Sequence, residues 1–351
     1  MPNHAVFSSM GMFIIDEIHF PQDSGRDSHY NVIGGGGTYG ALGARIITTH
    51  TRAQRVGWII DKGSDFPEEV ERYLRTWNTG AVWRDTPERL TTRGWNLYGD
   101  RDFRAFKYLS PKKRIEVDDL LEYDQLLNSD SYHLICSPQR CMQILGSLKK
   151  HRTESAPIIV WEPVPDICLP ENLDDTLAIL NTVNVLTPNA EEAARFFGLP
   201  EPSTKPELEA LAAKFINHIT SQTEFGTGGG IVLRCGALGS YTLTSNGNAF
   251  WMPAYHTDGV IDPTGGGNTF IGAFTTGLVL SRGDWIVASA CGNIGAGAAI
   301  EQIGMPKFDR ETDMWNGKSL QMRVEEYVDR CEGTIDAEKL LASLGVDPTL
   351  T

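Results

Sequence analysis

No stretch of this chain is apolar over the ~20 residues that a membrane-spanning helix needs, so a membrane anchor is not expected. No two cysteines are spaced Cys-x-x-Cys. The six lie scattered at 136, 141, 168, 235, 291 and 331, which fits neither a zinc site nor a dense disulfide framework. Several fall in apolar runs such as Leu134-Ile-Cys136 and read as reduced, buried thiols of an intracellular protein. Basic clusters are equally scarce; the densest, Pro111-Lys-Lys-Arg114, reads as a solvated turn. Acidic residues outnumber basic ones 45 to 31, for a net charge of −14. Neither nucleic acid nor an anionic membrane is an expected partner, and an anionic ligand would need a locally positive pocket or a metal. The apolar start, Ala5 to Ile15, lacks a basic n-region and runs into Asp16-Glu17. It reads as a first core strand and not as a signal peptide, and a cytoplasmic location is the expectation. No Gly-x-Gly-x-x-Gly follows that strand with an acidic residue about 20 positions on, which argues against a dinucleotide-dependent dehydrogenase.

Glycine, by contrast, is abundant, with 36 residues in 351. With 41% apolar and 22% charged residues the chain is expected to be globular. Short apolar runs alternate with helical patterns. Ala5–Ile15, Arg55–Ile60, Tyr132–Cys136, Pro157–Trp161 and Val183–Thr187 read as strands. Residues 34–48, Asp65–Trp77, the stretch ending at Lys150, and Ala190–Phe197 read as helices, as does Ile286–Ile303 with Gly304 behind it. Ile231–Cys235 is expected to pair with Ser240–Ser245 through a turn at Asn246-Gly247. Three prolines, at 200, 202 and 206, mark Pro200–Lys214 as a loop. Strands alternating with helices predict an α/β fold with a doubly wound, mostly parallel sheet. Between about residues 80 and 110 the pattern changes: Thr91, Trp95, Tyr98, Phe103 and Phe106 sit among Arg, Asp and Gly, and predict short antiparallel strands outside the main core.

The most specific segment is Asp262-Pro-Thr-Gly-Gly-Gly-Asn268-Thr-Phe. Its three glycines directly precede a helical pattern carried by Phe270, Ala273, Phe274 and Leu278. A glycine turn at a helix start leaves amide N–H groups pointing outward where the helix dipole is positive, which makes an anion hole. Four further segments accompany it. Asp16 follows the first apolar run, and Gly34–Gly40 opens a small-residue helix. In Leu186-Thr-Pro-Asn189-Ala-Glu-Glu192, the last Glu lies three residues after the Asn. The fourth is the turn Arg234-Cys-Gly236-Ala-Leu-Gly239.

Together these segments resemble the signatures of the ribokinase-like (pfkB) carbohydrate kinases, over roughly residues 5–305. The resemblance implies a single domain over residues 1–351, with a small β lid built from excursions at about 17–33 and 80–112, and with residues 306–351 packed on the core. It implies ATP-dependent phosphoryl transfer to a hydroxyl of a small sugar-like or nucleoside-like substrate. Gly265, Gly266 and Gly267 would hold the transferring phosphoryl group. Asp16, with Gly36, Gly37 and the residue at Tyr39, would hold the acceptor, and Arg93, Trp95, Tyr98 and Arg101 would close over it. Asn189 and Glu192 would position Mg²⁺; Arg234, Gly236, Gly239 and Asn293 would flank the nucleotide; Asp262 and Thr264 would border a K⁺ site. Pairing of two copies through the lid is a further implication. Two departures from the family pattern lie at its substrate end. Its sugar-binding Asn is here Tyr39, and its final motif Asp, the base that takes the hydroxyl proton, is here Asn268. An amide cannot accept that proton at neutral pH, so two readings stand: a slow or altered kinase, and a nucleotide-binding protein without turnover. Arg234, in place of the family's Thr, either pairs a phosphate or forms a structural salt bridge.

Overall fold

The computed structural model describes residues 4–99, 104–219 and 228–346. The expected lid residues Arg101 and Phe103 lie outside the described residues. Thirteen strands build the two sheets that frame the site. In chain order they are β1 (Phe7–Ser9), β2 (Ile14–His19), β3 (His29–Gly34), β4 (Val56–Lys62), β5 (Gly80–Asp85), β6 (Arg93–Tyr98), β7 (Arg104–Tyr108), β8 (Ser131–Cys136), β9 (Ile158–Pro163), β10 (Val185–Leu186), β11 (Gly230–Arg234), β12 (Ser240–Thr244) and β13 (Ala249–Met252). The main sheet runs β13-β12-β11-β10-β9-β8-β1-β4-β5. From β5 to β11 all pairings are parallel, and β12 and β13 add an antiparallel edge.

Parallel strands are buried on both faces, and the side chains show it. In β9, Ile158 and Val160 face one helical layer while Ile159 and Trp161 face the other. The first layer comprises the helices Gly36–Thr48, Gly266–Leu280 and Trp285–Ala299; the second includes Pro138–His151 and Lys205–Ile216. Within the first layer two helices touch backbone to backbone. A β-carbon on Gly272 would fall 1.8 Å from the carbonyl oxygen of Gly40, so only glycine fits there. This contact sets the glycine-rich starts at Gly36 and Gly266 side by side. The sheet winds in one direction from β1 through β4 to β5, then restarts on the other flank of β1 with β8. In open α/β sheets such a switch point opens a crevice beyond the strand ends, where ligands bind.

The lid is a four-stranded sheet, β3-β2-β6-β7, in which β2 pairs antiparallel with β3 but parallel with β6. Here the structure corrects several expectations. Ala5–Ile15 is two strands: β1 ends at Ser9, and after a sharp passage at Gly11, whose Cα packs against Gly37, the chain enters the lid as β2. Apolarity is continuous across the break, so periodicity does not reveal it. Likewise β5 belongs to the main sheet, parallel to β4, rather than to the lid. The hairpin joining β11 and β12 turns at 235–239, and Asn246-Gly247 joins β12 to β13 instead. Lys205–Ile216 is a helix, begun by a Thr204/Glu207 capping box that tolerates Pro206 in its first turn. In the tail, Trp315, Val324, Tyr327 and Leu340 are buried in the same core as Phe7 and Trp58. All six cysteines are buried and unpaired. No helix among the described residues is long and apolar enough to cross a membrane.

Candidate active site

Asp16 sits at a β-bulge in β2, where the register against β3 shifts between Asp16 and Ile18. A bulge re-aims a side chain. The carboxylate is turned onto the bare backbone of its neighbours: Oδ2 lies 1.8 Å from where a Gly34 β-carbon would be, and Oδ1 lies 2.4 Å from that of Gly94. Oδ1 is buried without a hydrogen-bond partner. Burial pushes the carboxyl up to about 6, against a smaller downward pull from the Asn96 amide. A buried carboxylate that lacks a cation and a full set of donors is a group that hydroxyls would satisfy.

A second orphan faces the neighbouring helix start. Asn268 Oδ1 is buried and unpartnered, 2.9 Å from where a Gly36 β-carbon would stand. Ile135, at the end of β8, abuts the same Gly36 and Gly11. The switch point thus brings together Gly11, Gly36, Gly37, Ile135 and Asn268. Tyr39 is buried below them, its ring packed against Gly265, which adopts φ +80° as N-cap of the following helix. Burial, then the charges of Asp16 and Asp262, raise its ionisation well above the ordinary phenol range, so it stays a neutral donor.

The first amides of a helix have no acceptor within it. In the triad one is already committed: Gly266 N–H donates to Pro263 O at 3.2 Å. Beside the triad a cleft of about 290 Å³ runs past Arg234, Gly236, Gly239, Phe270, Asn293 and Gly297. Asn293 lines it, although its amide nitrogen donates to Ser240 Oγ and Ser289 O, each at 2.9 Å.

The expected cation positions are engaged by the protein itself. Asn189 and Glu192 close a capping box: Glu192 N–H donates to Asn189 Oδ1 at 2.7 Å, and Asn189 N–H donates to Glu192 Oε2 at 2.8 Å. Arg234 Nη2 donates to the same Oε2 at 3.2 Å and to Glu162 Oε1 at 2.8 Å. Burial favours the neutral form of both carboxyls. At Glu162 the Arg234 charge and His133 outweigh it and hold the group low; at Glu192 burial prevails and the group is raised. We take Glu162 as the ionised partner of Arg234, because its contact is shorter and His133 Nε2 backs it at 3.4 Å. A hard dication does not fit this donor set as it stands, because Glu192 Oε2 and Glu162 Oε1 are already taken by Arg234 and the Asn189 amide, and a dication would have to displace the guanidinium. Among the described residues no group of three or more His, Cys, Asp or Glu is placed to hold a metal. At the expected K⁺ position, Thr264 N–H donates to Asp262 Oδ1 at 3.0 Å, and Tyr98 from the lid bonds Asp262 and the Thr264 hydroxyl.

Arg93 is not brought to the site. In β6 it stands opposite Ile15, while Gly94 stands opposite Asp16, so Arg93 projects from the other face of the lid. It pairs with Asp65 and reaches Asn31 Oδ1 at 3.3 Å, anchoring the lid. Sequence reasoning missed Glu162, His133 and Asn96. Glu162 left one signal, a carboxylate closing an apolar strand before Pro163.

The chain matches the model described as pfkB family carbohydrate kinase over residues 97–307. It is 42% identical to the Saccharomyces cerevisiae protein MAK32 over 338 residues, 91% of this chain and 90% of that one. Among solved structures, the ribokinase of Giardia lamblia superposes with a TM-score of 0.68 at 15% identity, covering 94% of this chain and 99% of the other. An Escherichia coli protein described as a ribokinase II, solved with ATP and Mg²⁺, superposes at 0.63 with 17% identity, covering 93% and 99%. At these identities the structural likeness concerns the fold, which is ribokinase-like.

Proposed function

The chain belongs to the pfkB family of carbohydrate kinases, and from that premise we propose that it transfers the γ-phosphoryl group of ATP to a hydroxyl of a small polyol, a sugar or a nucleoside. One observation carries the reading: Asp16 Oδ1 and Asn268 Oδ1 are both buried without partners, where the lid meets the glycine triad. Leaving a buried acceptor unmade costs about 1–3 kcal/mol. Asp16 lies against Gly34 and Asn268 beside Gly36, two residues on, and a ligand that brings hydroxyl donors would satisfy both. In this reading Asp16 accepts from the acceptor's hydroxyls and Asn268 orients the attacking one. The nucleotide lies in the cleft beside Arg234, with its phosphates toward the triad amides. The hydroxyl oxygen forms the new P–O bond as the bond to the ADP oxygen breaks. In a loose transition state positioning and electrostatics supply most of the acceleration. Asn268 cannot take the released proton, and Asp262 is engaged by Thr264 and Tyr98. The proton therefore passes to water, and without a positioned base the transfer is slow.

A second reading, nucleotide binding without turnover, is favoured by Asn268 itself. The test is transfer of labelled γ-phosphate to a panel of sugars, nucleosides and related polyols, with wild type and Asp16→Ala run side by side. The proposal expects a phosphomonoester from wild type and at least a hundredfold loss in Asp16→Ala. ATP binding with no product from any acceptor would replace it with the second reading.

A further inference from the structure

We propose that Arg234 is the resident cation of the nucleotide site, so that this chain binds the polyphosphate of ATP or ADP without a divalent metal. The inference rests on the nucleotide-binding reading above and deepens it. Arg234 ends β11 and lines the cleft. Both its carboxylate bonds leave from Nη2, to Glu162 and Glu192. Nη1 stands over the triad, 2.0 Å from where a Gly267 β-carbon would lie. Nε is buried without a partner. Nη2 is therefore held by carboxylates, while Nη1 stands beside the triad at the edge of the cleft.

Three features of the chain agree with this assignment. A protein of net charge −14 needs a local positive charge to hold a polyphosphate. A planar guanidinium offers donors matched to phosphate oxygens and cannot lose its charge. Glycine at 267 leaves the room that Nη1 occupies; any larger residue would displace the arginine from the triad. Glu192, whose motif resembles one that positions Mg²⁺, here serves to orient the arginine.

The test is titration of the full chain with ATP and with ADP, once with excess EDTA and once with saturating Mg²⁺. The same titrations are run on Arg234→Lys and on Arg234→Thr combined with Glu162→Gln, which removes a buried carboxylate left unpaired. Wild type is expected to bind with affinities within about threefold in the two conditions. The double variant, shown by thermal melting to be folded, is expected to lose about tenfold or more in EDTA and to recover part of it with Mg²⁺. Arg234→Lys should stay close to wild type in its indifference to Mg²⁺. A wild-type affinity that falls tenfold or more on chelation would overturn the inference while leaving nucleotide binding intact. An unchanged affinity of the double variant in EDTA would overturn it as well. No binding by wild type in either condition would instead remove the nucleotide-binding reading, and this inference with it.

Discussion

Replacing Asp16 with Asn should stabilise the protein while impairing its site. The folded carboxyl titrates at about 6 against an ordinary 3.8, because burial disfavours its charged form. At ~1.4 kcal/mol per pH unit, the ionised side chain destabilises the folded state by ~3 kcal/mol at neutral pH. Part of this is returned in the variant, because an Asn amide on Gly34 and Gly94 also lacks full partners, a loss of ~1–2 kcal/mol. The net expectation for Asp16→Asn at pH 7 is a gain of ~1–2 kcal/mol. Its pH dependence is the sharper signature. The folded state holds the Asp16 proton more tightly than the unfolded chain does, so wild-type stability falls as pH rises from ~4 to ~6 and does not recover above that. Asp16→Asn lacks this component. Urea denaturation of both proteins from pH 4 to 7.5 should give profiles that cross, the variant less stable by about 1 kcal/mol at the acid end and more stable by ~1–2 kcal/mol toward neutrality. Parallel profiles, or a variant less stable at pH 7, would refute the argument that Asp16 is an unpaired carboxylate held for a ligand.

Glu162→Gln removes the ionised partner of Arg234 and should cost about 3 kcal/mol in urea denaturation, the usual consequence of breaking a buried ion pair. Gly265→Ala places a β-carbon inside the Tyr39 ring at a φ of +80°, and should lower stability by at least about 2 kcal/mol, read from the melting temperature. Tyr98→Phe severs the lid's bonds to Asp262 and Thr264, and should speed amide exchange in β6 and β7 while leaving β8 and β9 unchanged.

Much of this was legible in the sequence, for physical reasons that differ by element. The parallel core announces itself because strands buried on both faces read as apolar runs between helices, as at β8 and β9. The glycine triad is legible because Gly265 needs a positive φ against the Tyr39 ring and its two neighbours leave room for Ile300 and Arg234. The lid was only half legible. The break between β1 and β2 falls inside one apolar run, and β5 carries the same composition as lid strands while lying at the main sheet's edge. At the site, Asp16 and Asn268 could be named from their motifs, but their unpartnered oxygens belong to tertiary structure alone. Arg93 could not be placed, because a single step in register decides which face of the lid it leaves. The choice left open at Arg234, phosphate or salt bridge, depended on Glu162, which is distant in sequence and joined to it only through the sheet order β11-β10-β9.

In the proposed reaction the one catalytic deficit is the amide at Asn268, which stands where the family carries its base. The most direct measurement is therefore the rate of γ-phosphate transfer to the best acceptor by Asn268→Asp relative to wild type. Restoring a base at that position should raise the rate by about 10²- to 10⁴-fold, the usual contribution of general base catalysis. A folded, ATP-binding Asn268→Asp no faster than wild type would contradict the account.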